Sequence, residues 1–376
     1  MAIPSNINLL CVISLYVSVI FLFSLNCINS GDYYFFIFGD SIFDAGNNQY
    51  VSPDSYIPAY HLPYGRTYFA LHPTGRYSDG RLAHDFIASK LNLPFMPPIL
   101  EPGANFTHGA NFASAGAGAT IATVSNAIIF GKQVQLFKEL AANWTKELGA
   151  EEAKRRLGRA VYLISIGGVD CLARSISNSN DTIPEQQEYV DKVIETIFKD
   201  VKEIYNQGGR KFAFQNVGPL GCVPEAKWLF EVSSEACAGL LLTMTILHNN
   251  ALVKKLRELT SENSWPGFFF SLFDYFTAVG NRIKDPTTYG FKYGDVACCG
   301  AESHRGSGCG SLNQTYELCF NPSEYVHFDG GHNTEAVYSQ LAEIMWSGGA
   351  EVLRLPLSDL FDYKVEIQAQ TVRTSL

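Results

Sequence analysis

Basic residues are scarce in this chain. Of 376 residues, 28 are Lys or Arg against 37 Asp or Glu, a formal charge of −9. A net negative field repels phosphate backbones, which excludes a general nucleic-acid binder. Charged residues make up only 17% and hydrophobic residues 47%, which excludes a disordered or low-complexity scaffold. There is no Gly/Ser linker and no internal repeat, so nothing marks a boundary between domains. No Cys-x-x-Cys pair occurs, so the cysteines do not read as zinc knuckles. No Gly-x-Gly-x-x-Gly follows the first apolar run, which argues against a dinucleotide-binding domain. Gly-x-Ser-x-Gly is absent too, which disfavours the nucleophile turn of the α/β-hydrolase fold proper. No motif calls for a cofactor or a metal.

Residues 1–30 contain no Asp, Glu, Lys or Arg, and Leu9–Leu25 is almost wholly apolar. This reads as a secretory signal peptide, cleaved near Ser30. An uncleaved anchor is the alternative, because a run of about 17 residues touches the lower limit for a spanning helix. The first strand begins only a few residues later, which favours a cleaved leader and leaves no stable membrane span. A secreted, extracellular protein meets an oxidising environment. Removing Cys11 and Cys27 from nine cysteines leaves seven, read as disulfides with one thiol over. Cys222 and Cys237 are candidates for a local pair, Cys298, Cys299, Cys309 and Cys319 cluster, and Cys171 is the candidate free thiol. Asn105, Asn143, Asn180 and Asn313 each open an Asn-x-Thr sequon, so N-glycans are expected there.

Short apolar runs alternate with amphipathic segments, the pattern of an α/β fold with a parallel sheet. Five strands are expected, at Tyr33–Phe38, Ala110–Ala113, Val161–Ile166, Lys211–Val217 and Gly267–Leu272. Helical spacing marks Arg81–Leu91, Val134–Leu148, Glu151–Leu157, Glu185–Asn206, Ala236–Leu259 and Thr334–Trp346. The Gly- and Cys-rich stretch Gly280–Val326 reads as a long tied loop. Leu353–Leu360 is expected to dock on the body. The division is a leader at 1–30, one domain at 31–363 and a tail at 364–376.

Two motifs carry chemistry. Gly39-Asp40-Ser41 lies just past the first strand, where open α/β sheets present their ligands. A serine hydroxyl needs a base to take its proton and an acid to orient that base. Asp329-Gly330-Gly331-His332 supplies both within one turn: His332 as base, Asp329 as its partner. His327 lies close by but lacks an acid at similar spacing after the last strand. An oxyanion also needs donors. The backbone N–H of Ser41 and the small-residue turn with Ala115 and Gly116 are the candidates.

The chain resembles the plant GDSL esterase/lipase family of the SGNH hydrolase superfamily from about Tyr33 to Phe361. Gly39-Asp40-Ser41 through Asp44, Gly46, Asn47 and Asn48 is one matching block. Thr74-Gly75-Arg76-Tyr77-Ser78-Asp79-Gly80-Arg81 and Gly109–Gly118 are others. Asn216–Cys222, Ala297–Gly300 and the Asp329/His332 pair follow in the family's order. The resemblance implies a flavodoxin-like α/β/α sandwich with a five-stranded parallel sheet. It also implies a Ser/Asp/His hydrolase acting on a small-molecule ester or lipid. One block departs: Gly167-Gly168-Val169-Asp170 has Val169 where the family places an oxyanion-hole Asn. Losing one such donor typically costs about 10²–10³ in kcat. The resemblance therefore leaves two expectations, an esterase, weakened at this position, or a catalytically weak binding protein.

Overall fold

The computed structural model describes residues 33–364, apart from 52, 54, 126, 234, 262 and 263. The leader and the last twelve residues lie outside the described residues. In chain order the main elements are β1 (Phe35–Gly39), α1 (Ala83–Lys90), β2 (Gly109–Asn111), α2 (Phe130–Leu148), α3 (Ala150–Arg159) and β3 (Val161–Ser165). Then come α4 (Gly168–Ser177), α5 (Ile183–Asn206), β4 (Lys211–Gln215), α6 (Pro224–Leu229), α7 (Gly239–Ser261) and β5 (Phe269–Phe273). The chain closes with α8 (Tyr275–Lys284), α9 (Glu335–Ser347), β6 (Val352–Leu353) and α10 (Leu357–Asp362).

The sheet order is β6-β5-β4-β3-β1-β2. The five expected strands are all present and mutually parallel. The short β6 adds an antiparallel edge to β5, through Val352 opposite Phe273. The expected parallel sheet is thus extended by one strand, at the start of the segment expected only to dock.

β1 shows why the sheet is covered on both sides. Side chains alternate across a strand. Tyr34, Phe36 and Phe38 pack with Phe137 and Trp144 of α2 and with Val190 and Ile197 of α5. Phe35 and Ile37 face the other way, toward Ile87 of α1, Leu341 of α9 and Phe361 of α10. Both faces being buried explains the unbroken apolar run, as expected for a central parallel strand.

Helix ends follow local chemistry. α5 starts at Ile183 rather than Glu185, because the Thr182 N–H and hydroxyl donate to the Glu185 carboxylate at 2.8 and 2.6 Å. α7 starts at Gly239 rather than Ala236, because Cys237 is bonded to Cys222 and Ala238 N–H donates to Gly221 O at 2.7 Å. Four of these helices, α4, α6, α8 and α10, were not anticipated. α4 opens on the Gly167-Gly168 turn, and α8 is capped by Asp274, which accepts from Thr277 N–H at 3.1 Å.

Six cysteines pair as Cys222–Cys237, Cys298–Cys319 and Cys299–Cys309. Cys171 is the buried free thiol among the described residues. The long loop is stapled at both ends of its cysteine cluster and bonded to the body. Cys298 N–H donates to His327 O at 2.9 Å, and Cys299 N–H to Phe328 O at 2.7 Å.

Candidate active site

Ser41 stands two residues past the end of β1. Gly39 makes the turn with φ +153°, and a Cβ there would lie 2.4 Å from Ser165 O on β3. Only glycine fits this approach. Gln133 of α2 then fixes the turn, accepting from Gly39 N–H at 2.9 Å and donating to Gly39 O at 2.7 Å.

The rest of the first block ties this turn to the one after β2. The Asp44 carboxylate accepts from the N–H groups of Gly46, Asn47 and Ala115 at 2.7, 2.8 and 2.8 Å. Asn47 donates to Asn111 O and Ala113 O, and Asn48 to Ala115 O, at 2.8–2.9 Å. This corrects one expectation. The Ala115 N–H is committed to Asp44, so it is not available to an oxyanion. The N–H groups of Ser41 and Gly116 have no acceptor among the described residues.

From the other end of the chain, Asp329 and His332 come off a turn before α9. The Thr74–Arg81 segment anchors the start of that helix. Asp79 accepts from Glu335 N–H at 2.8 Å, Arg81 pairs with Glu335 at 2.7 Å, and Ser78 Oγ donates to Asn333 O at 3.2 Å. The structure brings the three predicted residues together. Ser41 Oγ lies 2.7 Å from His332 Nε2, and His332 Nδ1 lies 2.7 and 2.9 Å from the two Asp329 oxygens. The carboxylate fixes the tautomer: Nδ1 donates, so Nε2 is left to accept the Ser41 proton.

Electrostatics match this arrangement. Burial alone would lower the proton affinity of His332, but Asp329, with Glu225 and Asp40 beyond it, more than offsets this and raises it. Burial would raise the Asp329 carboxyl. His332, the Gly331 N–H and the Tyr64 hydroxyl hold it below the usual carboxylate value instead. Burial pushes Asp40 up to about 6, against the hydrogen bond from Ile42 N–H.

Four contributors were not legible beforehand. The Tyr64 hydroxyl donates to Asp329 Oδ2 at 2.8 Å. The Tyr77 ring lies 4.8 Å from the His332 ring. Gln133 holds Gly39, and Glu225 lines the pocket. The one usable signal was Gln133, a polar residue on the buried stripe of an amphipathic helix. His327 plays no comparable part. It is buried with neither ring nitrogen hydrogen-bonded among the described residues, and burial pushes it down to about 3.

Ser41 and His332 open on a pocket of about 240 Å³, lined also by Gly116, Val124, Val169, Leu172, Leu220 and Leu241. Val169 faces this pocket with no donor to offer. Its neighbour Asp170 instead secures the pocket wall, accepting from Ala119 N–H and Thr120 N–H at 2.8 and 2.9 Å.

A mostly parallel sheet between two helical layers, with a Ser–His–Asp chain of hydrogen bonds past its strand ends, is the architecture of an SGNH-type hydrolase. A family profile described as GDSL-like Lipase/Acylhydrolase matches residues 35–345. GDSL esterase/lipase 5 of Arabidopsis thaliana is 42% identical, over 84% of this chain and 82% of that protein. GDSL lipase of Tanacetum cinerariifolium is 41% identical, over 88% of each. Inactive GDSL esterase/lipase-like protein 25 of Arabidopsis thaliana is 39% identical, over 85% of this chain and 72% of that protein. The chain belongs to the GDSL lipase/acylhydrolase family and is by class a carboxylic ester hydrolase.

Proposed function

We propose that the protein is a secreted serine esterase or lipase working through an acyl-enzyme on Ser41. The observation that carries this reading is the unbroken run of short contacts from Ser41 Oγ through His332 to Asp329. Ser41 Oγ bonds to the ester carbonyl carbon while His332 Nε2 takes its proton. The carbonyl π electrons move onto oxygen, toward the N–H groups of Ser41 and Gly116. Collapse of this intermediate breaks the ester C–O bond, and His332 returns the proton to the leaving alcohol. Water then attacks the acyl carbon, His332 takes its proton, and the acid leaves as Ser41 recovers its hydrogen. Asp329 stays ionised throughout and steadies the imidazolium.

The aliphatic pocket suits the acyl or alkyl part of a small ester or lipid. Secretion is supported by the uncharged leader, the three disulfides and the exposure of Asn105, Asn143, Asn180 and Asn313. The test is hydrolysis of p-nitrophenyl acyl esters by the wild type and Ser41→Ala. Equal background rates in the two proteins defeat the proposal.

Val169 favours a second reading, a binding protein with little catalysis. Stoichiometric labelling of Ser41 by an organophosphonate tells the two apart, because it requires an activated serine. Rapid labelling defeats the second reading.

A further inference from the structure

Among the described residues, the pocket beside Ser41 is lined by two carboxylates, Asp40 and Glu225, and by no Lys or Arg. Asp40 has a donor in Ile42 N–H at 3.1 Å. The Glu225 carboxylate has neither a hydrogen bond nor an ion pair among the described residues. Its place is nonetheless fixed. Pro224 opens α6, and Glu225 N–H donates to Gly330 O at 2.7 Å. The carboxylate lies over the turn that carries His332, since a Cβ at Gly331 would sit 3.0 Å from Glu225 Oε2. A partly buried carboxylate without a hydrogen-bond partner is costly, and burial raises its proton affinity against the pull of His332. A ligand that brings its own donor would offset that cost.

The position of Glu225 says which part of the ester would bring it. His332 protonates the leaving oxygen, so the space next to His332 receives the alcohol. The remaining walls there are aliphatic, including Val223, Ala226 and Leu241. Tyr77 is the one Phe, Tyr or Trp lining it among the described residues, and its ring lies tilted against His332. A quaternary ammonium group is held by several aromatic faces, which this pocket lacks. A protonated amine with an N–H to donate fits the carboxylate directly. We infer that Glu225 determines alcohol specificity, selecting esters whose alcohol carries a protonated amine a few bonds from the ester oxygen. This inference rests on the esterase reading.

The experiment compares dimethylaminoethyl butanoate with isopentyl butanoate, which has the same shape and no charge. Wild type is expected to favour the cationic ester in kcat/KM by about tenfold or more, the scale of a charge-assisted hydrogen bond. In Glu225→Gln the ratio falls to near one. Both esters use the same Ser41 and His332, so any influence of Glu225 on His332 divides out. A wild-type ratio near one, or a ratio retained in Glu225→Gln, overturns the inference. If wild type and Ser41→Ala turn over both esters equally slowly, it is the esterase reading that has failed. Calorimetric binding of dimethylaminoethyl butanoate to wild type and Glu225→Gln then decides the role of Glu225. About tenfold weaker binding to the variant supports it, and equal binding overturns it.

Discussion

Asp329 accepts from four donors: Tyr64 Oη–H, Gly331 N–H, His332 N–H and His332 Nδ1–H. Three of them belong to its own turn, so spacing alone pointed to that pair. The fourth comes from Tyr64, 265 residues earlier, and no local pattern could announce it. Tyr64→Phe removes one charge-assisted bond and is expected to lower kcat about tenfold with KM little changed, as steady-state kinetics would show. As the proposed base His332 would act only when neutral, and its proton affinity is raised above the ordinary value of 6.5. The kcat/KM profile should therefore fall toward acid with its midpoint on the alkaline side of 6.5, and a midpoint below that contradicts the assignment. Val169→Asn should raise kcat tenfold or more if the pocket lacks only that donor. No gain in an active enzyme would mean that another group already serves.

The elements were legible to the degree that their chemistry was local. β1 was read from its apolar run, and α5 from its stripe of Val and Ile. Their ends were not, because ends depend on partners such as Glu185 for Thr182 and Cys222 for Cys237. β6 was missed because two residues paired to an edge carry no periodicity. α4 was missed because its start depends on how Gly167 leaves β3. The turn after β1 is the element on which the site depends most. Gly39→Ala would put a Cβ 2.4 Å from Ser165 O, at a φ that alanine avoids. A loss of about 1–3 kcal/mol in chemical denaturation and of most activity is expected. Asp85 faces Arg76 at 2.8 Å with both side chains buried. Asp85→Asn leaves the guanidinium without its counter-charge and should cost about 3–5 kcal/mol by the same measurement.

At the scale of the molecule, the disulfide cluster is tied to the turn that carries the site. Cys299 is bonded to Cys309 and hydrogen-bonded to Phe328, the residue before Asp329. The double variant Cys299→Ser/Cys309→Ser should lose about 2–4 kcal/mol of stability and part of its kcat. Full activity with lowered stability would show that the cluster staples only the loop. The first and last described elements are tied together as well, with Tyr33 Oη–H donating to Asp362 at 2.7 Å, and Lys211 Nζ–H of β4 donates to Phe361 O at 2.8 Å. By itself the sequence determined the layered α/β plan, the family, Ser41 and the Asp329/His332 turn. Those follow from short-range patterns: alternation along strands, helical stripes, and motifs whose chemistry lies within a few residues. Only the tertiary structure decided that the Ala115 N–H is already taken by Asp44, that Tyr64 completes the Asp329 shell, and that Glu225 stands beside His332 with no hydrogen bond among the described residues. Each of these depends on which distant backbone groups find a partner on folding, and one sequence does not encode that in any local spacing.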